Sequence, residues 1–143
     1  MRILISACLL GTPCRYDGAS KSHPLAAALA ERHHLVPVCP EQLGGLPTPR
    51  LPAERRDGRV MTEDGGDVTE NYRRGAEAAL ALCRLLECRA AVLKERSPSC
   101  GRGEIYDGTF TGTRGPGDGV TAELLTAHGI AVYGESQIEE LLK

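Results

Sequence analysis

The chain has 143 residues, 41% apolar and 25% charged, with a formal charge of -2. That length suits one domain, residues 1–143, which can bury about 68–70% of its unfolded surface. The composition excludes wholesale disorder, no apolar run is long enough to span a bilayer, and the charge gives no support to a protein that mainly neutralises nucleic-acid phosphates.

Residues 2–7 read as a first core strand. Ile5-Ser6-Ala7-Cys8 resembles the cleavage box of a bacterial lipoprotein, but only seven residues precede Cys8, too few for a secretory signal. With no export signal the expected address is the cytoplasm, where thiols stay reduced. Ser22 reads as the cap of a helix over 22–33, and 35–38 as a second strand that Pro37 places toward a sheet edge. The stretch 41–66 is rich in proline and glycine and reads as a long irregular loop, functional or mobile. Its Arg55, Arg56 and Arg59 alternate with Glu54, Asp57 and Glu63 as a solvated mixed-charge surface.

Asp67 and Glu70 form a capping-box pattern before a helix over 67–86. Residues 90–94 are a third strand, followed by the turn sequence Ser97-Pro98-Ser99-Cys100-Gly101. The glycine-rich run 112–119 lacks the lysine of a P-loop and reads as a mobile rim. A helix over 118–126 is ended by Gly129, 130–133 is a fourth strand, and Ser136 with Glu139 caps a short last helix. Short, continuously apolar strands alternating with helices predict an α/β fold: a mainly parallel sheet of about four strands with helices on both faces.

Six cysteines in a reducing compartment point to metal or catalysis before disulfides. None forms a Cys-x-x-Cys pair, so any metal site must be assembled by the fold. In an open parallel sheet the ligand crevice lies beyond the carboxyl ends of the strands. Cys8 follows the first strand, Cys39 the second, and Cys100 lies six residues past Lys94 after the third. Cys83 shares the buried face of its helix with Ala76, Ala79, Leu80 and Leu86, and Cys88 lies at the opposite end of the sheet. Cys14 is on the crevice side and reads as a packed bystander, a redox thiol or a fourth ligand.

Thiolates select zinc, copper(I) or iron–sulfur clusters. Three of them leave one position of a four-metal cube open for chemistry; four imply a closed cluster or structural zinc, and the plain alternative is that all six are buried small residues. Glu41, two residues after Cys39, is placed to shuttle protons. Ser97 and Ser99 share the turn of Cys100, and Gly101 and Gly103 would let backbone N–H groups converge on an anion or cluster sulfide. Arg15, Tyr16, Asp17, Arg50, Lys94 and Glu95 gather at the same end of the sheet as a polar substrate wall.

The motifs Ser6-Ala7-Cys8-Leu9-Leu10-Gly11, Cys14-Arg15-Tyr16-Asp17-Gly18, Cys39-Pro40-Glu41, Gly44-Gly45-Leu46-Pro47-Thr48-Pro49-Arg50, Leu93-Lys94-Glu95, Ser97-Pro98-Ser99-Cys100-Gly101 and Tyr106-Asp107-Gly108-Thr109-Phe110 occur in this order along nearly the whole chain. Together they resemble a bacterial family, long catalogued as a domain of unknown function, that includes the thiouracil desulfidases. The resemblance implies a Rossmann-like three-layer α/β/α domain carrying a 4Fe-4S cluster on Cys8, Cys39 and Cys100. It implies non-redox, hydrolytic removal of sulfur from a small thiolated pyrimidine, with Glu41 and Ser97 matching the catalytic glutamate and serine. A non-catalytic binder of sulfide or thiolated metabolites is the alternative. A large nucleic-acid substrate is not expected from a near-neutral chain.

Overall fold

The computed structural model describes all 143 residues. In chain order its elements are β1 (Arg2–Ser6), α1 (Ala26–Arg32), β2 (His34–Val38), α2 (Pro40–Leu43), β3 (Ala53–Arg56), β4 (Arg59–Thr62), α3 (Thr69–Leu85), β5 (Ala90–Leu93), β6 (Glu104–Tyr106), β7 (Arg114–Pro116), α4 (Val120–Ala127) and β8 (Ala131–Gly134). Two 3-10 segments follow the first and last strands of the main sheet, Ala7–Leu10 and Glu135–Leu141.

The main sheet has the order β2-β1-β5-β8, with every pair parallel. Alternation along β1 and β5 divides the core into two layers. Ile3, Ile5, Ala90 and Val92 pack with Leu29 of α1 and Ile138 of the C-terminal segment. Leu4, Ala91 and Leu93 face Ala79, Leu80 and Cys83 of α3 and Leu125 of α4. Both faces of the central strands are therefore covered, which is why these strands are continuously apolar. Each fully buried leucine or isoleucine contributes about 1.5–3 kcal/mol. Pro37 lies in β2 at the sheet edge, as its missing N–H requires.

The helix starts differ from the sequence reading. Ser22 does not cap α1, because the preceding segment lies extended along the first loop, with the Lys21 and His23 amides donating to the Cys8 and Leu9 carbonyls at 2.9 Å each. Asp67 and Glu70 do not make a reciprocal box. Asp67 Oδ1 accepts the Thr69 amide at 2.9 Å, while Glu70 pairs with Arg73 in the first turn. At the C-terminus Gln137, not Glu139, closes the turn by accepting the Gly134 amide at 2.9 Å, and Ser136 hydrogen-bonds to Glu95 instead.

The stretch 41–66 is not irregular: it contains most of α2 and the antiparallel hairpin β3–β4. Nor is 112–119 only a rim, because β7 lies within it and pairs antiparallel with β6. Arg55 departs from the solvated reading too, since its guanidinium donates to the Asp118 carbonyl at 2.7 Å and pairs with Glu123.

Candidate active site

The carboxyl ends of β1, β2 and β5 open into a cavity of about 570 Å³. Cys8 enters it from the 3-10 turn that follows β1. Cys39 enters from the position preceding α2, and Cys100 from the turn after β5. Cys83 and Cys88 do not line it; the Cys83 thiol donates instead to the Cys88 carbonyl at 3.4 Å. Cys14 does line it, and the Cys39 thiol lies 3.7 Å from the Cys14 carbonyl. Burial pushes Cys8 up to about 11 and Cys14 and Cys100 up to about 12, so these thiols hold their protons at neutral pH.

The Cys100 turn is pinned from two sides. Ser97 Oγ accepts the amides of Ser99 and Cys100 at 3.1 Å each, and Gly101 N–H closes back on the Ser97 carbonyl at 2.8 Å. The first amides of α4 then anchor the turn from below, Val120 on the Pro98 carbonyl at 2.9 Å and Thr121 on that of Ser99 at 2.8 Å. A side chain at Gly119 would sit 2.3 Å from the Ser99 carbonyl carbon, so glycine is what permits this approach. Ser99 is fully buried and bonds Thr121 at 2.9 Å, away from the cavity. The Gly101 and Gly103 amides are taken by Ser97 and Asp118, which removes the expected convergence of N–H groups on an anion.

Glu41 sits one residue into α2, and its Oε1 accepts a hydrogen bond from the Tyr72 hydroxyl. Burial, followed by the Glu41 charge, raises the Tyr72 pKa and keeps that hydroxyl a donor. Arg50 Nε lies 3.5 Å from the same oxygen with its side chain only 5% exposed, an ion pair without hydrogen-bond geometry that leaves Nε unpartnered. The rest of the guanidinium is fixed on the Cys14 carbonyl and Thr48 Oγ1, at 2.9 Å each. The second oxygen of Glu41 makes no bond within the chain, and Glu41 lines the cavity together with Cys39.

Two glycines set this geometry. A Cβ at Gly75 would lie 1.8 Å from the Pro40 carbonyl oxygen, and one at Gly44 would lie 1.9 Å from that of Asn71. The bare backbones of α2 and α3 therefore touch, and Asn71 Nδ2 locks them on the Gly44 carbonyl at 2.9 Å. Sequence reasoning missed Tyr72. Its signal was present: it extends the buried stripe of Ala76, Ala79, Leu80 and Cys83, and a buried tyrosine hydroxyl requires a partner.

Of the expected polar wall, Arg15, Tyr16, Arg50, Lys94 and Glu95 line the cavity. Asp17 does not; it accepts the Ala19 amide at 3.0 Å in an exposed turn. Lys94 is paired with Glu135 at 2.6 Å, and Glu95 with the Ser136 hydroxyl at 2.8 Å, tying the C-terminal segment to this wall. Glu54 and Phe110, from the two hairpins, complete it.

The chain is similar to known proteins along nearly its whole length. The chain is 42% identical to the uncharacterized protein YbbK of Bacillus subtilis (strain 168), covering 98% of this chain and 99% of that one. It superposes on a structure described as the 4Fe-4S-dependent thiouracil desulfidase TudS with a TM-score of 0.93 at 52% identity, covering 98% of this chain and 94% of that chain. The profile of the 2-thiouracil desulfurase family matches residues 3–137. On these grounds the chain belongs to the 2-thiouracil desulfurase family.

Proposed function

We propose that the protein removes sulfur from thiouracil or a related thiolated nucleobase, nucleoside or nucleotide by non-redox hydrolysis, with a 4Fe-4S cluster held by Cys8, Cys39 and Cys100. The observation that carries this reading is the arrival of three thiols from three strand ends in one cavity that also contains a fixed carboxylate. The donor set fits the cluster. Cys8, Cys39 and Cys100 are soft thiol ligands delivered separately to one cavity, and a cube takes its thiolates on separate irons.

When bound, the cluster supplies a thiophilic Lewis acid with one iron free of protein ligands. The net reaction replaces C=S by C=O: water provides the oxygen, and the sulfur leaves as hydrosulfide. Glu41 takes a proton from the attacking water on its unbonded oxygen and returns one to the departing group, while Tyr72 and Arg50 hold the carboxylate in place. Ser97 already accepts two backbone amides, so it meets substrate or water as a hydroxyl donor.

The test is Glu41→Gln in anaerobically reconstituted protein. The visible absorption of the cluster stays intact, and hydrogen sulfide release from 2-thiouracil falls by about 10²–10⁴-fold, the usual contribution of a general acid–base. Unchanged turnover removes Glu41 from the reaction. Wild-type protein that binds thiouracil but never yields uracil is a binder.

A further inference from the structure

We infer that Phe110 is the ring-stacking residue of the substrate site, and that Glu54 is the latch that holds it there; this deepens the desulfidase reading and rests on it. Phe110 is the chain's one phenylalanine and lines the cavity from the connection between β6 and β7. Its backbone adopts φ 56°, in the left-handed region that a bulky L side chain seldom occupies. Such a conformation persists only where the surroundings hold it.

Those surroundings come from the other hairpin. Glu54 Oε1 in β3 accepts the Gly108 amide at 2.9 Å and the Phe110 amide at 3.1 Å, and Glu54 itself lines the cavity. The loop lies so close that a Cβ at Gly108 would stand 2.4 Å from that of Arg56. The Asp107 amide closes the loop's base on the Thr113 carbonyl at 3.0 Å. Two hairpins outside the main sheet thus meet over the cavity through one carboxylate, and the aromatic ring is carried at that junction.

The other aromatic residues of the cavity are less suited to the task. Tyr72 is 2% exposed and committed to Glu41. Tyr16 is 42% exposed with the Arg15 guanidinium 5.9 Å from its ring centroid, and Tyr106 lies in β6 with 37% exposed. Phe110 alone offers a π-face with no polar end to satisfy. A planar thiolated pyrimidine needs such a face, because stacking fixes the plane of the ring without demanding hydrogen bonds and so leaves the thiocarbonyl free to point toward the three cysteines.

The experiment compares reconstituted wild type, Phe110→Leu, Phe110→Tyr, Glu54→Ala and Glu54→Gln. Leucine keeps an apolar side chain on the same strained backbone but has no π-face, so KM for 2-thiouracil rises about 5- to 100-fold with kcat within about threefold, while tyrosine restores KM. Glu54→Ala raises KM similarly, and Glu54→Gln, whose carbonyl oxygen still accepts both amides, does not. Phe110→Trp adds the sole tryptophan of a tryptophan-free chain, and its emission is quenched by 2-thiouracil and by uracil with saturation. If wild type releases no sulfide from 2-thiouracil, the functional reading fails, and the fluorescence titration still decides the stacking. Phe110→Leu with an unchanged KM, or a tryptophan indifferent to both pyrimidines, overturns the inference.

Discussion

The two ends of the main sheet carry the same residue type with opposite fates. At the carboxyl end Cys8, Cys39 and Cys100 arrive from separate strands and share a cavity with several carboxylates and cations. At the amino end Cys83 and Cys88 are local neighbours across the end of α3, where the Cys88 amide bonds the Cys83 carbonyl at 2.8 Å and the two thiols are packed into the core. Burial raises the thiol pKa at both ends, so burial is not what distinguishes a ligand from a packed residue. Convergence from distant parts of the chain, with polar partners at hand, is.

The sharpest way to break this comparison is to replace each thiol in turn. Cys8→Ser, Cys39→Ser or Cys100→Ser lowers iron and sulfide content after reconstitution to near background and removes desulfidase activity. Cys83→Ser and Cys88→Ser retain both. Iron lost from Cys83→Ser with Cys8→Ser still loaded reverses the assignment.

The scaffold beneath Glu41 gives the next largest effect. Alanine within a helix is normally favoured over glycine by about 1 kcal/mol. At Gly75 the new methyl would lie 1.8 Å from the Pro40 carbonyl oxygen, so overpacking of about 1–3 kcal/mol wins and α2 must shift. A displacement of about 1 Å at a catalytic group costs about 10²-fold, and kcat of Gly75→Ala with 2-thiouracil falls by that order while iron content holds. Gly115→Ala, where a methyl meets nothing within 4 Å, is the control and changes neither kcat nor stability by more than about 0.5 kcal/mol.

Alkaline pH separates the two ends in a single titration. Burial moves Cys83 from 9.0 to about 11 and Cys8 from 9.0 to about 11, so between those values the unfolded chain binds fewer protons than the folded one. Stability is then full below about pH 9 and falls as pH rises through the folded values. With a cluster on Cys8, Cys39 and Cys100 the protons of those three thiols would already be released, leaving the shares of Cys14 and of the amino-end pair. The decline in urea midpoint from pH 8.5 to 10.5 is expected to be shallower for loaded than for unloaded protein. Equal slopes would mean that the crevice thiols remain protonated when the metal is bound.

How much of this could be read from sequence follows the same division. The four core strands are apolar on both faces, so their runs and ends were legible, and with the parallel topology they placed the three cysteines. The hairpins were not. In β3 and β4 only Val60 is buried, and Ala-Glu-Arg-Arg carries no apolar alternation; these strands exist because they pair with each other and because Glu54 and Arg55 bond across to the other hairpin and α4. The Glu41–Tyr72 contact depends on two glycines that allow backbones to touch, a packing fact invisible in either segment alone.

The smallest effect tests the quieter end of the sheet. Cys83 is 1% exposed, and truncation to alanine removes one sulfur atom and its bond to the Cys88 carbonyl. Loss of the apolar contact and of one neutral hydrogen bond costs about 1–2 kcal/mol, read as a lower urea midpoint at constant m. Iron content, visible absorption and KM stay at wild-type values. Cys8→Ala in unloaded protein is expected to cost a similar amount, because there it too is only a packed thiol. The two variants are therefore expected to match without the cluster and to diverge completely with it, and that divergence, rather than burial or cysteine identity, is what the proposed assignment of Cys8 as a ligand and Cys83 as a core residue requires.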